Sequence, residues 1–145
     1  MKRSTGFRDY VLASGSVKQA LDGKVITFYG GPVPANADAA LGSAVPLCTI
    51  TVDGAGGTLN MAAAPAGGQL PKSSSQVWRG DITTGGTATF FRHHALGDDG
   101  SLSTAAVRLQ GTVGLVGTDI EVSDVIFTPG DERKINYYVV AITEG

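Results

Sequence analysis

The sequence predicts an all-β fold, an antiparallel β-sandwich of jelly-roll type with a short N-terminal helical segment. Three observations carry that expectation. From Lys24 onward, short stretches rich in β-branched and aromatic residues recur between turn signals, and no helical pattern alternates with them. Glycine accounts for 21 of 145 residues while Asp, Glu, Lys and Arg together make up only 17%, a balance that suits many strands joined by turns needing positive φ. The length fits one domain with one adequate core, residues 1–145, built as a helical arm (1–22) on a sandwich (24–145).

The arm, Ser4 to Gly23 (STGFRDYVLASGSVKQALDG), is the one good helical stretch. Ser4 or Thr5 caps its start, and Phe7, Tyr10 and Val11 share one helical face. Ser14-Gly15-Ser16 interrupts it, Ser16 caps a second turn that groups Val17, Ala20 and Leu21, and Asp22-Gly23 stops the helix. KVITFYG (24–30) opens the β region. GPVPANADAALGS (31–43) carries too much proline and alanine for a strand and reads as a long loop with one helical turn at Ala37 to Leu41. AVPLCTITV (44–52) is the next strand, turning at Asp53-Gly54, with TLNMAAA (58–64) after it and a second long loop, PAGGQLPKSSS (65–75). QVWRGDI (76–82), GTATFFRHH (86–94), AAVRLQGTV (105–113), IEVSDVIF (120–127) and KINYYVVAI (134–142) complete about eight strands. The last is apolar on both faces, which places it centrally in a sheet or against another chain.

Several function classes are disfavoured. A formal net charge of -2 without a dense Lys/Arg run argues against a nucleic-acid partner. No apolar run approaches the roughly 20 residues that cross a bilayer, and no secretory leader is visible, so synthesis in a reducing cytoplasm is expected. The single cysteine, Cys48, alternates with Ile50 and Val52 and reads as a core residue.

FFRHHALGDDGSLS (Phe90 to Ser103) concentrates the candidate chemistry. Successive strand side chains point to opposite faces, so His93 and His94 diverge and cannot share one metal ion in a regular strand. Asp99-Gly100 is a strong hairpin-turn signal that accounts for the aspartates without a cation. What remains is an exposed tip with two imidazoles, His93 and His94, sensitive to pH. The glycines of GAGGTL and GGTATF lack the strand–turn–helix setting of a nucleotide site. Asp119, Ser123 and Asp124 have no histidine partner in register. Trp78 is either a core ring or a sugar-stacking platform beside the 64–76 loop, and Arg79-Gly80-Asp81 reads as the end of a strand. No catalytic, cofactor-binding or metal-binding set is expected.

Many spaced positions resemble a group of tailed-bacteriophage structural proteins. GTATFFR, then QGTVG, then GTDIEVSDVIFTPGDERKINYYVVAIT follow that group's C-terminal pattern, and ALDGKVITFYGGPVPANADAALGSAVPLCTI follows its front half. The likeness spans Ala20 to Thr143 and includes no catalytic signature. It implies a virion component, most specifically a head decoration (cement) protein on the capsid exterior, with the major capsid protein and a second or third copy of itself as partners. The HHALGDDG segment departs from the group's shorter turns. On that reading Phe7, Arg8, Tyr10 and Leu12, the loop carrying Pro32, Pro34 and Leu41, and an apolar face at Tyr137 and Tyr138 are the expected contacts. Phe7 and Tyr10 equally well close one end of the sandwich. A head–tail joining or tail protein, and a carbohydrate-binding adhesin module using Trp78, are the rival expectations.

Overall fold

The computed structural model describes residues 1–144. They are mostly β, in the order β1 (Lys2–Arg3), α1 (Thr5–Ala13), α2 (Val17–Leu21), β2 (Val25–Gly30), β3 (Val45–Val52), β4 (Gln69–Pro71), β5 (Trp78–Asp81), β6 (Gly86–His94), β7 (Leu109–Gly114), β8 (Ile120–Glu121), β9 (Ile126–Phe127), β10 (Glu132–Ile135) and β11 (Val139–Ala141). The main sheet runs β1-β7-β6-β2-β3-β5-β10, with β8 attached to β7 and β9 to the start of β6; β11 and β4 form a separate two-stranded ribbon. All ladders are antiparallel except β7–β8.

Both helices begin where the capping residues require. The Ser4 hydroxyl accepts from the Phe7 N–H, and Ser16 with Gln19 forms a reciprocal capping box. A side chain at Gly6 would run into the Ala105 and Ala106 carbonyls, so only glycine lets α1 lie this close to the segment before β7. Phe7 and Leu21 are thereby buried against the sheet.

Strand alternation divides the centre of the sheet into two buried faces. Registers Ile26↔His93↔Leu109 and Phe28↔Phe91↔Gly111 point one way. With Trp78, Tyr138, Phe127, Ile50 and Leu47 they make the hydrophobic core. Registers Thr27↔Arg92↔Gln110 and Tyr29↔Phe90↔Thr112 point the other way. Segments 31–44 and 95–108 bond to each other over this second face, Leu41 N–H to the Gly100 carbonyl at 3.0 Å and Ser103 N–H to the Asp38 carbonyl at 2.9 Å.

Several expected elements differ. The single terminal strand is two, β10 on β5 and β11 on β4, because Asn136 to Tyr138 carry the chain from one ladder to the other. Residues apolar on both sides reflect that change of neighbours, and β11 is not a central strand. Residues 120–127 likewise split into β8 and β9, and 58–64 make only isolated bridges at Leu59 and Met61. Ala37 to Leu41 form no helical turn: bends run from Ala35 to Ala39, with Ala37 fully buried. Asp99-Gly100 is not a two-residue hairpin, since fourteen residues, 95–108, separate β6 from β7.

Candidate functional site

The expected exposed histidine tip does not exist. His93 and His94 are the last residues of β6, and both are buried. They do diverge, as alternation requires. His93 enters the aromatic core, where Nδ1 lies 3.0 Å from the Tyr138 hydroxyl and the ring meets Trp78 edge-on at 6.5 Å. Its Nε2 is buried without a hydrogen-bond partner. Burial, with His94 and Lys24 as nearby positive or titratable neighbours, pushes its pKa down to about 3. His94 turns to the other face, its Nε2 2.8 Å from the Thr27 hydroxyl and Nδ1 2.7 Å from the Ala95 carbonyl. Burial lowers its pKa too, opposed by the Ala95 carbonyl and Asp98.

The second face is the least expected part of the molecule. Arg92 and Arg108 are each 1% exposed. Arg108 Nε and Nη2 hold Asp98 Oδ2 and Oδ1 at 2.6 and 2.7 Å, a two-point ion pair, while Nη2 also reaches the Ser101 carbonyl at 2.8 Å. Arg92 Nε donates to Gln110 Oε1 and Nη2 to the Ala39 carbonyl at 2.7 Å; Nη1 has no partner. Six consecutive carbonyls, Pro34 to Ala39, accept in turn from Gln110, Lys2, Arg92, Arg108, Arg108 and Arg92. Asp38 in the same loop takes the Thr5 N–H and hydroxyl at 2.7 and 2.6 Å, which also places a carboxylate at the start of α1.

Charge follows these contacts. Burial and the neighbouring Arg108 both lower the Arg92 pKa, and no carboxylate bonds to it directly. The Asp98 hydrogen bond raises that of Arg108 against the cost of burial. Burial opposes ionisation of Asp98, but Arg108 and the Gly100 N–H outweigh it and hold the carboxyl below its ordinary range. Asp98 therefore belongs to an ion pair, while Asp99 accepts from the Ser101 N–H in an exposed turn.

The other expected contact residues scatter. Phe7 and Tyr138 are buried in the core and present no outer face; Tyr10 is half-buried, and Arg8 and Leu12 are exposed. Pro32 is exposed while Pro34 and Leu41 are half-buried, Leu41 against Gly100. Tyr137 is 75% exposed. Trp78 is 1% exposed, its Nε1 donating to Gln76, so it offers no stacking platform. Arg79 to Asp81 are the last three residues of β5, as expected, where Arg79 pairs with Glu132 and Gly80 admits the close approach of the Thr49 carbonyl. Cys48 is buried, which pushes its thiol up to about 12 and leaves it protonated.

Among the described residues no group of three His, Cys, Asp or Glu side chains is placed to hold a metal ion, and no helix is long and apolar enough to cross a membrane. A groove of about 470 Å³ lies between residues 118–123 and 132–137, and an apolar groove of about 350 Å³ lies between α2 and β11. Comparisons with protein-family models, with curated proteins and with solved structures give no match for this chain.

Proposed function

We propose that the protein is a non-enzymatic structural component of a tailed-bacteriophage virion, a decoration protein seated on the outside of the capsid shell and synthesised in the host cytoplasm. In this reading the main sheet and its two-stranded ribbon form a sandwich of jelly-roll type. One observation carries the proposal beyond the sequence likeness: apolar side chains stand out on several separate segments of a braced body. Leu12 on α1, Leu96 and Leu102 in the second cover loop, Leu115 and Val116 between β7 and β8, and Tyr137 and Ile142 near β11 are all more than half exposed. Scattered anchors on a rigid body suit several weak contacts to neighbouring shell subunits, whose combined avidity exceeds that of any one of them.

The major capsid protein and further copies of this chain are the partners in this reading; nucleic acid and membrane have no part in it. The adhesin alternative loses its ring, because Trp78 is enclosed. A head–tail joining or tail role uses the same kind of surface and differs in symmetry. Electron cryo-microscopy of the virion separates the two by copy number and position. Density covering the shell in many copies supports decoration, a single ring at the portal assigns the joining role, and absence from mature particles overturns both.

A further inference from the structure

The chain carries three Asp-Gly pairs, Asp22-Gly23, Asp53-Gly54 and Asp99-Gly100, and the fold treats them differently. Such a pair holds a latent reaction, attack of the glycine amide nitrogen on the aspartate Cγ, which no side chain on the glycine obstructs. In the first and third pairs both reacting groups are held. Asp22 Oδ1 accepts the Met61 N–H at 2.8 Å and Oδ2 the Lys18 ammonium at 2.6 Å, while the Gly23 N–H donates to the Leu59 carbonyl at 2.9 Å. Asp99 Oδ1 accepts the Ser101 N–H at 2.9 Å, and buried Gly100 donates its N–H to Asp98 Oδ1 at 2.9 Å. The middle pair is different. Asp53 and Gly54 are exposed in the turn that ends β3, and the Gly54 N–H meets the Thr51 carbonyl only at 3.4 Å. Among the described residues no ion pair engages the Asp53 carboxylate.

We infer that Asp53-Gly54 is a self-modification site, where the folded protein converts aspartate to isoaspartate with water as the only co-reactant. The Gly54 nitrogen attacks Cγ of the Asp53 carboxylic acid. An N–Cγ bond forms, the carboxyl hydroxyl leaves with the amide proton as water, and a five-membered succinimide closes. Water then adds to either ring carbonyl. Cleavage of the new N–Cγ bond restores aspartate, whereas cleavage of the original peptide bond routes the main chain through Cβ and leaves a free carboxylate on Cα. The local backbone favours departure from the starting state. Asp53 is the one described non-glycine residue in the left-handed region, with φ 55°, where Cβ crowds the following carbonyl oxygen. A main chain that passes through Cβ no longer has that contact. Gly54 and Gly56, at φ 68° and 90°, give the turn freedom to rotate, and a Cβ on Gly56 would meet nothing within 4 Å. The product carries one more main-chain methylene between β3 and its bridge partner Gly57. Nothing in this chemistry rests on the decoration reading.

The test is prolonged incubation of the full chain in mildly acidic buffer at physiological temperature, followed by peptide mapping with electron-transfer fragmentation, which distinguishes isoaspartate from aspartate. Reaction at the two held pairs must wait for local opening, so Asp53 is expected to convert at least about tenfold faster than Asp22 or Asp99. A parallel incubation in urea removes the hydrogen bonds and should bring the three rates together. Methyl transfer by a purified isoaspartyl methyltransferase gives an independent count of the product, and Asp53→Glu, which cannot close the five-membered ring, should abolish most of it. Conversion first at Asp22 or Asp99 overturns the inference, as does an Asp53 that stays intact while the chain in urea reacts. A preference for Asp53 that persists unchanged in urea overturns the claim that the fold selects the site. Methyl incorporation undiminished in Asp53→Glu contradicts the assignment as well.

Discussion

The two faces of the central sheet are made by the same strands and stabilised in opposite ways. On one, Ile26, Phe28 and Phe91 meet Trp78, Tyr138 and Phe127, and burial of apolar surface is nondirectional. On the other, Arg92 and Gln110 meet the backbone carbonyls of a loop while Thr27 bonds the His94 ring, and each contact depends on direction and on a matched partner. The first face tolerates exchange among similar volumes; the second tolerates little, because a buried charge left unpaired costs far more than a small void. The loops over the polar face are consequently part of the body, and a surface presented by them is presented rigidly.

The sharpest way to break that contrast is Arg108→Met, which keeps much of the side chain's bulk and leaves the partly buried Asp98 carboxylate without its partner. We expect a loss of about 3–5 kcal/mol in urea unfolding, with much of it recovered in Arg108→Met/Asp98→Leu. A single-variant loss below about 1 kcal/mol would show that the ion pair is incidental.

Acid tests His93, the imidazole on the apolar face. His93 is held neutral with its pKa lowered from 6.5 to about 3. Below pH 6.5 the unfolded chain binds a proton that the native core refuses, so the stability it contributes is complete above that pH and falls progressively toward pH 3. His94 acts in the same direction. Fluorescence of Trp78, the only tryptophan, follows the unfolding midpoint, and His93→Phe should flatten the slope between pH 6.5 and 3. A slope of the same size in the variant contradicts this assignment.

Smaller still is Phe91→Leu on the apolar face, expected to cost up to about 1.5 kcal/mol by urea unfolding. A loss equal to that of Arg108→Met would erase the contrast between the faces. Asp99→Asn, in the exposed turn, should leave the melting temperature unchanged, whereas a clear drop would return Asp99 to a structural role.

What the sequence made legible was local. Ser4 and Ser16 announce the two helices through their capping geometry, GTATFFRHH coincides with β6, and alternation separates the two histidines. What it concealed was nonlocal. Arg92 and His94 share a face with Phe90 in a strand buried on both sides, and a charge there reads as solvent-facing unless the cover is known. The cover comes from Pro34 to Ala39, more than fifty residues away, through carbonyls that every sequence possesses. Asp98 sits beside a convincing turn signal, Asp99-Gly100, that hides its pairing with Arg108. The paired aromatic residues Tyr137 and Tyr138 look alike in sequence, yet a change of ladder exposes one and buries the other.

The central claim, that two buried arginines fix the cover loops to the body, is most directly tested by amide hydrogen exchange at Leu41 and Ser103, whose N–H groups join one loop to the other. Protection comparable to that of β2 and β6, lost at both positions in Arg108→Met under conditions where the strands stay protected, is the predicted result. Exchange of both amides at the rate of an unstructured peptide in the unmodified protein would contradict it.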